Sequence, residues 1–218
     1  MSGVRVKICC ITDEDEAALA VRSGAAALGL VSKMPSGPGV IDERTIAGIV
    51  RQVPPGVATF LLTAEREAAA MIDQQRRCRA NVLQLVDRVD PAVYERLRRA
   101  MPGVALVQVV HVVDASAIDE ALQLAEHVDA ILLDSGAPAA AIPELGGTGR
   151  VHDWRVSAAL RSRVSKPVYL AGGLRPDNVV AGIRAVRPFG VDLCSGVRSA
   201  GRLDPQKLQS FMDAVAAA

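Results

Sequence analysis

No stretch of this chain joins a positively charged start to an apolar run and a cleavage site, and no apolar run approaches membrane-spanning length. The reading therefore carries no secretory signal and no membrane contact, and a soluble, cytoplasmic protein is expected. Charge of one sign is lacking as well: 25 Lys and Arg stand against 24 acids, a formal net charge of +1. Non-specific nucleic-acid binding needs a basic footprint, and no polybasic run stands out, so no nucleic-acid partner is expected. Cysteine is sparse, with four residues at positions 9, 10, 78 and 194. They form no C-x-x-C pair and no Cys/His spacing for zinc, which argues against a bound metal. Adjacent cysteines such as Cys9 and Cys10 bridge only with strain, and a chain of this length needs no disulfide framework. A G-x-G-x-x-G turn after the first strand is also missing, which counts against an open dinucleotide-binding sheet.

What is present is a strict alternation. Short apolar or β-branched runs fall at 4–9, 26–31, 56–62, 81–86, 104–112, 129–134, 167–171 and 190–194, with amphipathic stretches between them. The segments 13–24, 64–78, 91–100, 115–126, 175–188 and 204–218 read as helices. The first starts on acids and stops at Gly24. Half the residues are hydrophobic, which is ample for a large core. Nearly continuous apolar strands imply a parallel sheet covered on its faces. Eight strand–helix units without a long linker predict an α/β protein, a (β/α)8 TIM barrel that takes residues 1–218 as one domain.

In such a barrel the active site lies at the C-terminal ends of the strands. That directs attention to Cys9, Gln84, His111 and Asp134, and to the loops after strands 6, 7 and 8. Those three loops are GGTGR (146–150), AGGL (171–174) and CSGVR (194–198). Glycine lets backbone N–H groups approach an anion, so three such loops on one rim point to a phosphate site; the simpler reading is tight turns. Asp134 follows four apolar residues, where burial can raise its pKa as a general acid requires; a loop-capping role is the alternative. Cys9 shares strand parity with Lys7 and Arg5, so these side chains point to one face, while Cys10 points the other way or begins the loop. A small buried thiol is the commoner fate of a free cysteine. His111 at a strand end reads as a bystander, and Trp154 as an anchor for the sixth helix.

The run VRVKICCITDEDEAALAVRSGAAALGLV (4–31) resembles the opening of phosphoribosylanthranilate isomerases, whose pattern is KICGIT, an acidic helix start and GADALGFV. ILLDS, GGTGRVHDW and LAGGLRPDNVVAGIRAVRPFGVDLCSGVR match the second half of that family closely; the match is weak between 32 and 128. The resemblance implies an intramolecular isomerase of tryptophan biosynthesis that performs an Amadori rearrangement of a phosphorylated aminoaldose to a 1-amino-1-deoxyketose. It implies Cys9 and Asp134 as the catalytic base and acid. It further implies substrate contacts from Lys7 and Gln84, and a phosphate held by Gly147, Gly149, Gly172, Gly173, Ser195 and Gly196. No cofactor and no metal are required, the partner is a small phosphorylated sugar, and a monomer or homodimer is expected.

The departures gather on one side. Gly39 stands where the family carries an arginine that meets the anthranilate carboxylate, and glycine cannot replace a bidentate guanidinium. QLHG has become QLVD (84–87), Gln108 replaces a frequent lysine, Cys10 replaces a glycine and Arg198 a glutamate. A paralogue acting on another phosphosugar, or a barrel that only binds one, is the alternative. If anthranilate is the aglycone, Lys33, Arg198 or Arg150 would have to supply the carboxylate contact.

Overall fold

The apolar runs pair in chain order, each with its sequence neighbour, and the last closes on the first. The computed structural model describes residues 3–35, 37–136 and 152–218. Its strands are β1 (Arg5–Ile8), β2 (Ala27–Val31), β3 (Ala58–Thr63), β4 (Val82–Leu85), β5 (Ala105–His111), β6 (Ala130–Asp134), β7 (Val168–Leu170) and β8 (Gly190–Leu193). They form a closed parallel barrel in the order β1 to β8. Parallel neighbours need a crossover, and each is a helix: α1 (Glu14–Arg22), α2 (Glu43–Gln52), α3 (Ala68–Cys78), α4 (Pro91–Ala100), α5 (Ser116–Ala125), α6 (Trp154–Arg163) and α7 (Val179–Val186), with α8 (Pro205–Ala216) after β8. The expected (β/α)8 barrel is what the chain forms.

Aspartate starts many of these helices. Asp13, Asp42, Asp90, Asp153 and Asp204 each accept a hydrogen bond from an amide of the first turn, and proline occupies that turn in α4 and α8. Two helices start later than the periodicity suggests, for local reasons. The Glu65 amide donates to Thr63 Oγ1 at 3.2 Å, which holds 64–67 in a turn before α3. Asn178 accepts from the Arg175 amide at 2.8 Å and donates to the Gly173 carbonyl at 2.9 Å, so α7 begins only at Val179.

Strand alternation sorts the core into two shells. One set, including Ile8, Leu28, Leu30, Leu61, Leu83, Ile131 and Val191, packs outward under the helices. The other fills the barrel: Cys9, Val31, Phe60, Leu62, Val107, Leu132 and Tyr169. The lower interior is aromatic, with Tyr169 edge-on to both Phe60 and Phe189, and the Arg5 guanidinium lies 4.4 Å over the Phe189 ring. Gly190 makes room for this layer, since a Cβ there would come within 2.7 Å of the Tyr169 ring. Beyond β8 a small antiparallel pair, Arg198–Ser199 with Arg202–Leu203, turns through Ala200 and Gly201, both with positive φ. Nothing in the apolar pattern announces this hairpin, because it is too short to show a period.

Candidate active site

Above the aromatic layer the barrel holds two charges. Lys7 is fully buried, and its Nζ lies 2.9 Å from Asp192 Oδ2 on the neighbouring strand, a pairing set by the Lys7↔Asp192 register. Burial opposes the Lys7 charge, yet Asp192, with smaller contributions from the cysteines, outweighs it and holds the lysine above its usual range. The Phe60 ring lies 5.2 Å from the same ammonium.

One step higher are the expected acid and base. Asp134 is the last residue of β6 and almost fully buried. Burial pushes its carboxyl up to about 6, the neighbouring Asp192 charge adds to this, and the Ser135 amide (2.7 Å to Oδ1) and Lys7 partly oppose it. A carboxylic acid poised there can give up a proton near neutral pH. Cys9 directly follows β1, on the same interior face as Lys7. A Cβ on Gly29 would sit 2.7 Å from Cys9 Sγ and 3.0 Å from Lys7 Nζ, so β2 carries glycine where these two side chains need the space.

Cys9, Asp134, Gln84, Gly172, Gly173 and Ser195 line one cleft at the C-terminal mouth, together with Val31, Met34, Pro38, Leu62, Val86 and Asp192. The structure thus gathers most of the expected residues. Lys7 and Gly196 are the exceptions among the described residues: Lys7 lies buried beneath the cleft, and neither residue lines it. Gly147 and Gly149 lie outside the described residues, as does Arg150. Asp192 is the charged cleft residue that sequence reasoning missed. A carboxylate inside an apolar strand (VDL) was the available signal, and only the register reveals its partner. Asp192 Oδ1 on β8 and Gln84 Oε1 on β4 are both buried in the cleft lining and have no hydrogen-bond partner among the described residues, which marks where a polar ligand would dock.

The glycine loops after β7 and β8 form a contiguous floor. Gly172 and Gly173 both adopt left-handed backbone, and a Cβ on Gly172 would come within 2.8 Å of Ser135 Oγ. Gly196 abuts the Leu174 carbonyl so closely that no side chain fits, which locks one loop onto the other. A short 3-10 turn, Ser195–Val197, directs the β8 loop at the cleft.

The opposite rim differs. Cys10 takes φ +62, the left-handed conformation for which glycine is suited, and its side chain lines the cleft beside Cys9 instead of turning away. Gly39, at φ +75, faces it: a Cβ there would lie 2.5 Å from Cys10 Cβ. A side chain at 39 would strike the Cys10 backbone as well as its side chain, with Cα at 2.9 Å, so the two loops pack directly on each other here. Of the cations proposed to replace an arginine at 39, Arg198 and Lys33 do not take its place. Arg198 bonds Glu16 at 3.0 and 3.1 Å and the carbonyls of Cys9 and Cys10, and Lys33 is exposed off the cleft. Glu16 in turn accepts from the Thr12 and Leu203 amides. Burial would raise its carboxyl, but Arg198 and these amides hold it below the usual range. The missed hairpin is what carries Arg198 and Leu203 to this position. His111 is a bystander as expected: its Nε2 meets the Val86 carbonyl at 3.2 Å, and burial lowers its pKa. Gln108 is tied to Tyr94 Oη at 2.7 Å and to strand carbonyls, off the cleft. Trp154 packs on Gly182 of α7.

Among protein families, the one described as N-(5'phosphoribosyl)anthranilate (PRA) isomerase matches residues 6–214. The chain belongs to this family. An N-(5'-phosphoribosyl)anthranilate isomerase from Desulforudis audaxviator is 39% identical over 209 residues, covering 95% of each chain. The crystal structure of the PRA isomerase from Thermotoga maritima has a TM-score of 0.82 at 31% identity and covers 99% of this chain and 100% of that one. A second PRA isomerase structure, in complex with reduced 1-(o-carboxyphenylamino)-1-deoxyribulose 5-phosphate, has a TM-score of 0.80 at 29% identity and covers 99% of this chain and 100% of that one. Within the PRA isomerase family the present chain is thus full-length in its match, including the weakly matching stretch 32–128.

Proposed function

We propose that the protein converts N-(5-phosphoribosyl)anthranilate to the corresponding 1-deoxyribulose 5-phosphate, the isomerisation step of tryptophan biosynthesis, with Asp134 as general acid and Cys9 as general base. The Asp134 proton goes to the furanose ring oxygen, the C1′–O bond breaks, and the anthranilate nitrogen's lone pair forms the iminium. Cys9 then removes the C2′ proton, and the electron pair left on carbon neutralises the iminium to give an enolamine. Tautomerisation of the enolamine yields the ketose. The glycine floor from Gly172–Gly173 and Ser195–Gly196 holds the phosphate, and Gln84 and Asp192 Oδ1 meet sugar hydroxyls. The observation that carries this reading is a buried acid at about 6 sharing one cleft with a thiol, at the strand ends of a barrel from this family. A binding-only barrel would have no need to keep that acid buried.

The test is to mix the purified protein with freshly formed phosphoribosylanthranilate and follow the loss of its fluorescence. Turnover should fall about 10²- to 10⁴-fold in Cys9→Ala and in Asp134→Asn, the contribution expected of a proton-transfer group. Absence of turnover at high enzyme concentration would overturn the proposal.

A further inference from the structure

The thiol assigned as base adjoins a stretch of backbone that needs holding. Cys9 directly precedes Cys10, whose φ of +62 is a left-handed conformation that an L side chain rarely adopts. Such a conformation persists only where its surroundings over-determine it. The amides on either side are fixed by neighbouring strands: Cys9 donates to the Leu193 carbonyl at 2.8 Å, and Ile11 to the Gly29 carbonyl at 3.1 Å. The carbonyls of Cys9 and Cys10 are held from a third direction. Arg198 Nη2 donates to both, to Cys9 at 3.4 Å and more closely to Cys10.

Arg198 is itself fixed in place. Its Nη1 and Nη2 meet the two oxygens of Glu16 at 3.0 and 3.1 Å, and Nη1 also donates to the Gly201 carbonyl at 2.9 Å. The same two Glu16 oxygens accept from the Leu203 amide at 2.8 Å and the Thr12 amide at 3.1 Å. Leu203 lies opposite Arg198 in the hairpin, so one carboxylate joins both hairpin strands to the loop that runs from Cys9 to Thr12. The Arg198 and Glu16 side chains are only 8% and 3% exposed, which strengthens these bonds. A guanidinium suits the task, because it presents several donors in fixed directions.

We propose, on the reading that Cys9 is the general base, that Arg198 is a positioning residue: clamped by Glu16, it fixes the Cys9–Cys10 backbone and so aims the Cys9 thiol into the cleft. Arg198 does not line the cleft, so it acts through the backbone and not on the substrate. Proton transfer to the thiol depends steeply on its distance from C2′, and a displacement of about 1 Å costs on the order of 10²-fold in rate. Loss of the clamp therefore lowers kcat. KM stays nearly as it was, because the phosphate floor is locked separately by Gly196 against the Leu174 carbonyl.

The test compares Arg198→Lys, the double variant Glu16→Gln/Arg198→Met, and Arg202→Met. Lysine keeps the charge but cannot serve Glu16 and two carbonyls together, and the double variant leaves no buried charge unpaired. Arg202 ties the same hairpin to Asp13 at 2.6 Å, so its removal reports hairpin attachment alone. Each variant is assayed with phosphoribosylanthranilate and, separately, treated with iodoacetamide. Labelling of Cys9 is mapped by mass spectrometry, with the buried Cys78 as internal reference. The expected kcat is about 10-fold lower in Arg198→Lys and about 10²-fold lower in the double variant, with KM within about twofold. Cys9 labelling should become at least about threefold faster in both, as the thiol is released from its place beside Gly29. Arg202→Met should match the unmodified chain in every reading. A raised KM at unchanged kcat, an equal loss in Arg202→Met, or Cys9 labelling at the unmodified rate would refute the proposal. Labelling is read without turnover, so a chain inactive on phosphoribosylanthranilate would sink the assigned reaction and leave the clamp to be judged by labelling.

Discussion

On the side of the cleft closed by β6, β7 and β8, the wall is glycine backbone and buried carboxylate; on the side closed by the loops after β1 and β2, it is thiol, methionine and proline. The first side is held by charges that have no freedom to move: Lys7 on Asp192, with Asp134 a step above. The second is held by shape, with Cys10 and Gly39 interlocked and Met34 and Pro38 flanking them. Preorganised charge suits the sugar phosphate and the proton transfers, which need fixed electrostatics. Shape and dispersion suit an aryl ring, and they tolerate exchange of one side chain for another. The shape-held rim is where Gly39 and Cys10 stand in place of the arginine and glycine that the family resemblance leads one to expect.

The sharpest way to break the charged side is Lys7→Met. It leaves Asp192 buried without its partner, and removing one member of such a pair costs about 3–5 kcal/mol, read as a lower urea midpoint. Unchanged stability would mean that the pair does not hold the interior. Asp134 gives a pH-dependent comparison of nearly the same size. Its carboxyl is raised in the folded state, so the native protein binds more protons than the unfolded chain in the interval up to about 6. The stability from this group is full below that interval and is lost as pH rises through it, to a total of roughly 3 kcal/mol. Asp134→Asn should therefore gain stability on the unmodified chain between about pH 4 and about pH 7 while it loses activity, measured by urea unfolding at the two values.

The shape-held side is probed at the contact between Cys10 and Gly39. Gly39→Ala should raise KM for phosphoribosylanthranilate about tenfold with little change in kcat, because its Cβ strikes the Cys10 side chain and backbone and the position has a left-handed φ. An unchanged KM would show that this contact does not shape the cleft. The smallest effect is expected at His111. His111→Asn should change kcat/KM by less than about twofold, since its ring bonds a strand carbonyl and not the cleft.

Much of this was legible in the chain. Strand alternation put Lys7 and Cys9 on one face, and the apolar run before Asp134 foretold a buried acid. The glycines at 172 and 173 do take the left-handed backbone that justifies them. Other features were not legible, for definite reasons. Asp192 reads as an isolated carboxylate until the β1–β8 register sets it opposite Lys7, 185 residues away. Arg198 looked free for the ligand until a short hairpin directed it to Glu16. Cys10 and Gly39 read as two unrelated positions until the fold set them in contact.

The sequence alone determined the barrel and the placement of Cys9 and Asp134 at strand ends, because strand and helix periods are local properties of the chain. Only the tertiary structure decided which charges neutralise each other and which side chains compete for one space. Those depend on distances between segments remote in sequence, which the closure of β8 onto β1 sets and no local pattern encodes.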